Sequence, residues 1–560
     1  MKFQHFLLFL LCSLVITNSA VSQVYHQNGM VVSEHHLASE VGSQILQSGG
    51  NAIDASIATA FALAVVFPQA GNIGGGGFLV YMDDNGESTT IDFREKAPLA
   101  ATPTMYLDEN GDFINRSNNN GLLSVGVPGT VAGLWMAHQK YGSLPWSDLL
   151  QPAVELAENG VPLSFTLAQH AKRFETNAPD DFMKNFYTNE TGVPLKFGEI
   201  WKQPELARTL SIIRDNGKAG FYTGEIAEKL ANYMAENGGI ITEEDLAKYE
   251  AIERSPVTGT YKGYEIISMG PPSSGGASLI QMMNMMEQVD WDEVEFNSTE
   301  YVHILAESMR RAYADRAEFL GDPDFNPDMP IDRLISKEHA ENRFQHIDWD
   351  RASVSDSSKF GQLYDGQSTT HLSVMDEDGN AVSLTYTLEW SYGSRMGSSE
   401  LGFILNNEMG DFNPQPGMTN SSGRIGTDPN LVAPEKRMLS SMSPTIVAKG
   451  GKPYLVIGTP GGRRIITATF QTILNVLEFE MPIDDAIEMM KIHHQWLPDR
   501  IQYEPDKLSP DTRDALEAMG HTMSIRADLG RMMGIIYDPK LGVFIGSNDS
   551  SSPDSGVSGY

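Results

Sequence analysis

The stretch Ser368-Thr369-Thr370-His371-Leu372-Ser373-Val374-Met375-Asp376 opens a new style of sequence. Polar and apolar residues alternate over 370–376, Glu377-Asp378-Gly379-Asn380 supplies a turn, and 381–388 alternates again. This is the pattern of a β-hairpin. Upstream, residues 353–368 are polar and without period, which predicts an exposed loop. A loop running into a strand is a place where a chain can be cut. Cutting before Thr369 would give its hydroxyl, a poor nucleophile alone, an α-amine base titrating near ~8. On pattern alone the plainer reading stands beside it, because paired threonines at a strand start are commonplace.

Working outward, residues 36–47 and 52–66 read as helices separated by Gly49-Gly50-Asn51. The segment Gly71-Asn72-Ile73-Gly74-Gly75-Gly76-Gly77 then leads into a strand at 78–82 and, past Asp83-Asp84-Asn85-Gly86, a second strand at 89–94. The glycine run reads as a turn that allows close backbone approach. From 130 to 345 the pattern is mostly helical, and strands recur at 443–448, 453–458 and 533–537, with a helix over 465–477. The Ser-rich tail 547–560 reads as mobile. A helix-rich first half and a sheet-rich second half predict a layered α+β sandwich.

Composition narrows the function. Forty Lys+Arg face 73 Asp+Glu in 560 residues, a net charge of −33, so a phosphate backbone would be repelled and nucleic-acid binding is disfavoured. Lys2, the apolar run 6–16 and small residues at Ala20 and Ser22 form a secretory signal over 1–22, cut before Gln23. That run is too short to span a bilayer, so no membrane anchor is expected and the destination reads as periplasmic or secreted. The single cysteine, Cys12, leaves with the signal, which excludes a disulfide scaffold and a thiol nucleophile. Signatures for zinc proteases, serine-hydrolase elbows, dinucleotide folds and phosphate loops are missing. The adjacent pairs His35-His36 and His493-His494 diverge on any regular element and read as structural rather than metal-binding.

Several blocks, taken together, resemble the γ-glutamyltranspeptidase family of N-terminal-nucleophile hydrolases from about residue 28 onward. They are Gly49–Ala55, Pro68–Asn72 with Gly74–Phe78, Asp92–Glu95, Gly126–Gly129, Pro271–Gly276, Thr369–His371, Leu439–Thr445 and Pro460–Gly462. The resemblance implies a four-layer αββα sandwich and self-cleavage at Ser368-Thr369 into a large subunit, 23–368, and a small one, 369–560. The two would stay together as a heterodimer. Thr369 matches the family nucleophile, Thr387 the threonine that orients it, and Gly461 and Gly462 the oxyanion hole. Arg94, Ser440 and Ser441 would take the donor's α-carboxylate, and Glu389, Glu408 and Asp411 its ammonium. The bland alternative for Arg94 is a surface ion pair with Asp92 or Glu95.

The implied activity is transfer of a γ-glutamyl group from glutathione and similar compounds to water, amino acids or dipeptides, with no metal or organic cofactor. Departures from the family are Glu389 where many members carry Asn, and Glu408 where many carry Gln. Ser422 stands at a gating tyrosine, and Asp549-Ser550-Ser551 replaces Asp-Pro-Arg, which removes one expected tie between the subunits. A glutaryl-type (cephalosporin) acylase and an inactive binding homologue are the alternatives. Three buried carboxylates without a cation argue against the acylase, and an intact Thr369, Thr387 and glycine pair argues against the inactive homologue.

Overall fold

The computed structural model describes residues 23–355, 368–417 and 426–560. The signal over 1–22, residues 356–367 of the polar loop, and Ser422 lie outside the described residues.

Two seven-stranded sheets form the middle of the protein. One runs Gly556–Gly559, Met30–Ser33, Ser368–Met375, Ala381–Glu389, Gly76–Met82, Ser88–Phe93, Ile252–Arg254. The other runs Val24–His26, Val543–Asn548, Met533–Asp538, Lys452–Gly458, Thr445–Lys449, Tyr264–Ser268, Val257–Tyr261. Both are antiparallel throughout, and each interleaves strands from before and after Ser368. The period of two sorts side chains between layers. Met30, Val32, Phe78 and Val80 meet Ile446, Val456, Ile535 and Phe544 between the sheets. Val31, Leu79, Leu384 and Tyr386 turn to helices His36–Gln47 and Ala52–Val66. On the far side, Val447, Leu455 and Ile457 pack against helices Gly275–Met286, Thr299–Phe319 and Arg464–Leu477. The order is helix, sheet, sheet, helix.

The hairpin is polar where it faces the second sheet. Thr369, His371 and Ser373 sit opposite Thr387, Thr385 and Ser383 in register. Buried hydroxyls need partners, and these find them across the sandwich: Ser373 Oγ donates to Met533 O (3.3 Å) and Ser383 Oγ to Ile457 O (3.1 Å). His371 lies between Thr385 Oγ1 (2.8 Å) and Ser373 Oγ (3.0 Å), and burial lowers its pKa to about 3, so the ring is neutral. A Cβ on Gly458 would come within 2.3 Å of that ring.

The two early helices run as expected, and Asn51 with Asp54 forms a capping box between them. The glycine run is a place of close approach, for a Cβ on Gly75 would lie 2.0 Å from Thr387 O. The region 130–345 is mostly helical as expected, with the short strands Ile252–Arg254, Val257–Tyr261 and Tyr264–Ser268 extending both sheets. Lys262 and Gly263, both at positive φ, make the tight turn between the last two. One expectation fails. The tail is a strand rather than a free end: Gly556–Gly559 pairs with Met30–Ser33, which satisfies an otherwise open sheet edge. Ser552 and Arg531 both reach Glu34 (2.6 and 3.4 Å), a tie across the position of the missing arginine.

Candidate active site

Thr369 and Thr387 are cross-strand partners, with Oγ1 atoms 3.4 Å apart. Thr387 Oγ1 also accepts from Glu389 N (2.8 Å) and is thereby fixed. Ser368 begins the same strand, at a register shift. Gly461 and Gly462 come from the other sheet, between strand Lys452–Gly458 and helix Arg464–Leu477. Their φ values, +141° and +59°, suit glycine. Among the described residues neither N–H has a protein acceptor. The positive end of that helix's dipole adds to them.

At the other end of the cleft lies Arg94, fully buried and just past strand Ser88–Phe93. It is no surface ion pair. Nη1 meets Glu408, Nη2 meets Asp411 (2.5 Å), Glu95 lies at 3.6 Å, and Nε donates to Met438 O (3.3 Å). Asp92 is occupied by Arg254 (2.9 Å) and Arg437 (3.3 Å). Glu408 and Asp411 share one short 3₁₀ turn. Glu389 ends its strand at φ +73°, a strained conformation for a non-glycine residue, held by Asn119 Nδ2 (3.1 Å). Burial, then the charges of Asp411 and Glu408, pushes Glu389 well above the usual carboxylate range. Burial does the same to Glu408, and Arg94 offsets only part of it because Glu95 and Asp411 draw on the same guanidinium. Glu95 is pushed up to about 7, again chiefly by burial.

Ser440 and Ser441 precede strand Thr445–Lys449 and rest on the Pro271–Gly276 loop, with Ser440 N donating to Pro272 O (2.8 Å). Arg94, Thr369, Thr387, Glu389, Glu408, Asp411, Ser440, Ser441 and Gly462 line one cleft. Gly461 adjoins it through Gly462. The arrangement sets a hydroxyl, a pair of backbone donors and a charged recognition end on one path. A zwitterion entering there meets a guanidinium already paired with carboxylates, so it exchanges ion pairs rather than finding bare charges.

Three partners of these residues are given no role by the sequence reading. Asn119 sits in a polar loop stretch, Arg316 among other charges of an ordinary-looking helix, and Ser274 within the Pro271–Gly276 block, where nothing sets it apart from its neighbours. Burial distinguishes them, and only the fold supplies it. His493 and His494 diverge as expected, His493 meeting Thr467 (2.8 Å) and His494 meeting Asp499 (3.2 Å), whereas the rings of His35 and His36 stack with centroids 4.7 Å apart, His35 accepting from Leu37 N (3.3 Å). Among the described residues one group, His303, Glu307 and His521, brings ligand-type atoms within 4.8 Å of one another. Its histidines bond each other directly (2.8 Å), and Glu307 is bound to Arg310 (3.1 Å) and Arg311 (2.6 Å). That is the chemistry of a structural network rather than of a cation site. No helix among the described residues is long and apolar enough to cross a membrane.

Comparison with known proteins agrees with this geometry. A family model described as Gamma-glutamyltranspeptidase matches residues 38–558. The glutathione hydrolase proenzyme of Escherichia coli (strain K12) is 44% identical over 538 residues, 95% of this chain and 92% of that protein. Among solved structures, a cephalosporin acylase from Bacillus halodurans superposes with a TM-score of 0.83 at 26% identity, covering 97% of this chain and 98% of its own. A Helicobacter pylori γ-glutamyltranspeptidase chain is 45% identical with a TM-score of 0.56, covering 60% of this chain and 95% of its own. The match over most of the length, with the fold of that group around one cleft, makes this chain a member of the γ-glutamyltranspeptidase family.

Proposed function

We propose that the protein is a self-processing γ-glutamyl transferase and glutathione hydrolase. The observation that carries the reading is the single cleft joining Thr369 to Arg94, Ser440, Ser441 and three acidic side chains. In processing, Thr369 Oγ1 attacks the Ser368 carbonyl carbon, the peptide C–N bond breaks, and water hydrolyses the resulting ester. This leaves a Ser368 carboxylate and a Thr369 amine, and subunits 23–368 and 369–560. In turnover the amine takes the hydroxyl proton as Oγ1 attacks the donor's γ-carbonyl. Gly461 and Gly462 N–H groups stabilise the oxyanion, a contribution of roughly 3 kcal/mol per donor. Protonation of the leaving amine releases it, and water or the amine of an amino acid or dipeptide then takes the γ-glutamyl group from Thr369. Every group the steps use is the chain's own, so no cofactor is invoked. An apolar leader, cut before Gln23, would deliver the enzyme to the periplasm or outside.

Arg94 with Ser440 and Ser441 would hold the donor's α-carboxylate, and Glu389, Glu408 and Asp411 its ammonium. Turnover of γ-glutamyl-p-nitroanilide against glutaryl-p-nitroanilide tests this directly. Preference for the glutaryl compound, which lacks the ammonium, would overturn the reading in favour of an acylase. Release of nitroaniline that rises on adding a dipeptide measures transfer.

The raised pKa values of Glu389 and Glu408 set the pH behaviour. An approaching ammonium favours the ionised carboxylates, so binding releases protons and weakens as acid supplies them. KM for a γ-glutamyl donor is expected to rise as pH falls, beginning above the range where ordinary carboxylates titrate. Replacing Glu389 and Glu408 by Gln should flatten that rise. A KM flat with pH in the unaltered enzyme would contradict it.

A further inference from the structure

Arg316 lies near the end of helix Thr299–Phe319 and is only 4% exposed. Among the described residues no carboxylate comes within ion-pair distance of it; Asp411 acts on it from further away. A buried guanidinium without a counter-charge is expensive, and this one is used on serines. Nη2 donates to Ser441 Oγ (3.0 Å), and Nε to Ser274 Oγ (2.8 Å). Ser274 in turn donates through Oγ (2.6 Å) and N (2.9 Å) to Ser440 O. One fork therefore grips both serines of the pair, one directly and one through Ser274.

The consequence is directional. Ser441 Oγ accepts from Arg316, and Ser440 Oγ accepts from Met442 N (3.1 Å). Among the described residues neither hydroxyl has an acceptor for its own proton, and both residues line the cleft. A hydroxyl that accepts a charge-assisted bond is a stronger donor on its other side. Charge points the same way. Arg94 already shares its single charge among Glu408, Asp411 and Glu95, so an anion arriving there needs a further positive source.

We propose that Arg316 is a positioning residue for the donor's α-carboxylate, holding Ser440 and Ser441 with their protons turned into the cleft and supplying the charge Arg94 has already shared. This rests on the γ-glutamyl reading of the site. The test uses the full-length, self-cut enzyme and the competitive inhibition constants of L-glutamate and of 4-aminobutyrate, which lacks only the α-carboxylate. Arg316→Gln is expected to weaken L-glutamate by about tenfold, the scale of one charge-assisted hydrogen bond. Inhibition by 4-aminobutyrate should change by less than about twofold, within ordinary mutational scatter. Arg316→Lys, which keeps charge but not the fork, should fall between. Equal weakening of both ligands would mark Arg316 as merely structural and overturn the proposal, as would an unchanged L-glutamate constant. If Arg316→Gln is not cut at Ser368-Thr369, Ser274→Ala is read by the same pair of constants, with the same outcomes deciding. Loss of γ-glutamyl turnover in the unaltered enzyme would instead strike the parent reading.

Discussion

Thr369→Ala is expected to stay a single chain on a denaturing gel and to lose γ-glutamyl hydrolysis by a factor on the order of 10⁴ or more, the scale seen when a sole nucleophile is removed. The argument rests on where the hydroxyl sits. Thr369 is 4% exposed, on a strand bonded on both sides, opposite Thr387 in register. Its Oγ1 is the hydroxyl held against the oriented Thr387 Oγ1, which is itself fixed by Glu389 N. Thr370, next along, turns to the other face of the strand, so a neighbouring hydroxyl cannot substitute without a register slip. Removing one methyl and one hydroxyl from a small buried site leaves the strand pairing intact, so the variant should fold and the loss should be chemical. Thr369→Ser is the control: it keeps the hydroxyl and the amine, and should still be cut, more slowly because the hydroxyl is freer to rotate. Intact-mass measurement of both variants reads the outcome. Cleavage of the alanine protein between Ser368 and Thr369, or undiminished turnover, would remove Thr369 from both reactions.

The legibility of this protein in its sequence follows the strength of local periodicity. Helices His36–Gln47 and Ala52–Val66 were readable because an apolar run is bounded by a glycine break and an Asn cap. The hairpin was readable because strict alternation meets a Gly-Asn turn. The strands Val257–Tyr261 and Tyr264–Ser268 do not stand out among the helices because each is only five residues long and the outer one, Val-Thr-Gly-Thr-Tyr, lacks a continuous apolar face. The tail was misread for a related reason: Gly556-Val557-Ser558-Gly559 has composition typical of a free end, and only the open edge at Met30–Ser33 makes it a strand. Within the site, residues in dense motifs could be named in advance. Their pairing could not. Nothing local to Arg94 tells that Glu408 and Asp411, more than 300 positions away, close on it. Nor can the sequence say that Arg316 is buried while Arg343, another Arg on the same side of the molecule, is one-third exposed.

Arg94→Met is expected to damage stability and donor binding together, with signatures that can be separated. Arg94 carries no exposed surface and is the cation between Glu408, Asp411 and Glu95. Removing one partner of a buried ion cluster leaves uncompensated charge, a loss of about 3–5 kcal/mol, so a clear drop in Tm at a fixed scan rate should follow. The stranded carboxyls respond by holding protons more tightly in the folded state than in the unfolded chain. Their penalty is therefore greatest at high pH and is relieved as pH falls below their raised folded values. The Tm gap between Arg94→Met and the unaltered enzyme should narrow toward acid. Binding fails for a different reason, since Met offers no fork to a carboxylate, and KM for the γ-glutamyl donor should rise by roughly a hundredfold or more, the scale of a lost bidentate charge pair. Arg94→Lys divides the two effects. It returns a positive charge to the cluster and should recover most of the Tm, yet a point charge cannot match the bidentate geometry, so KM should stay high. A pH-independent Tm gap would show that packing rather than charge was lost, and an unchanged KM would remove Arg94 from donor recognition.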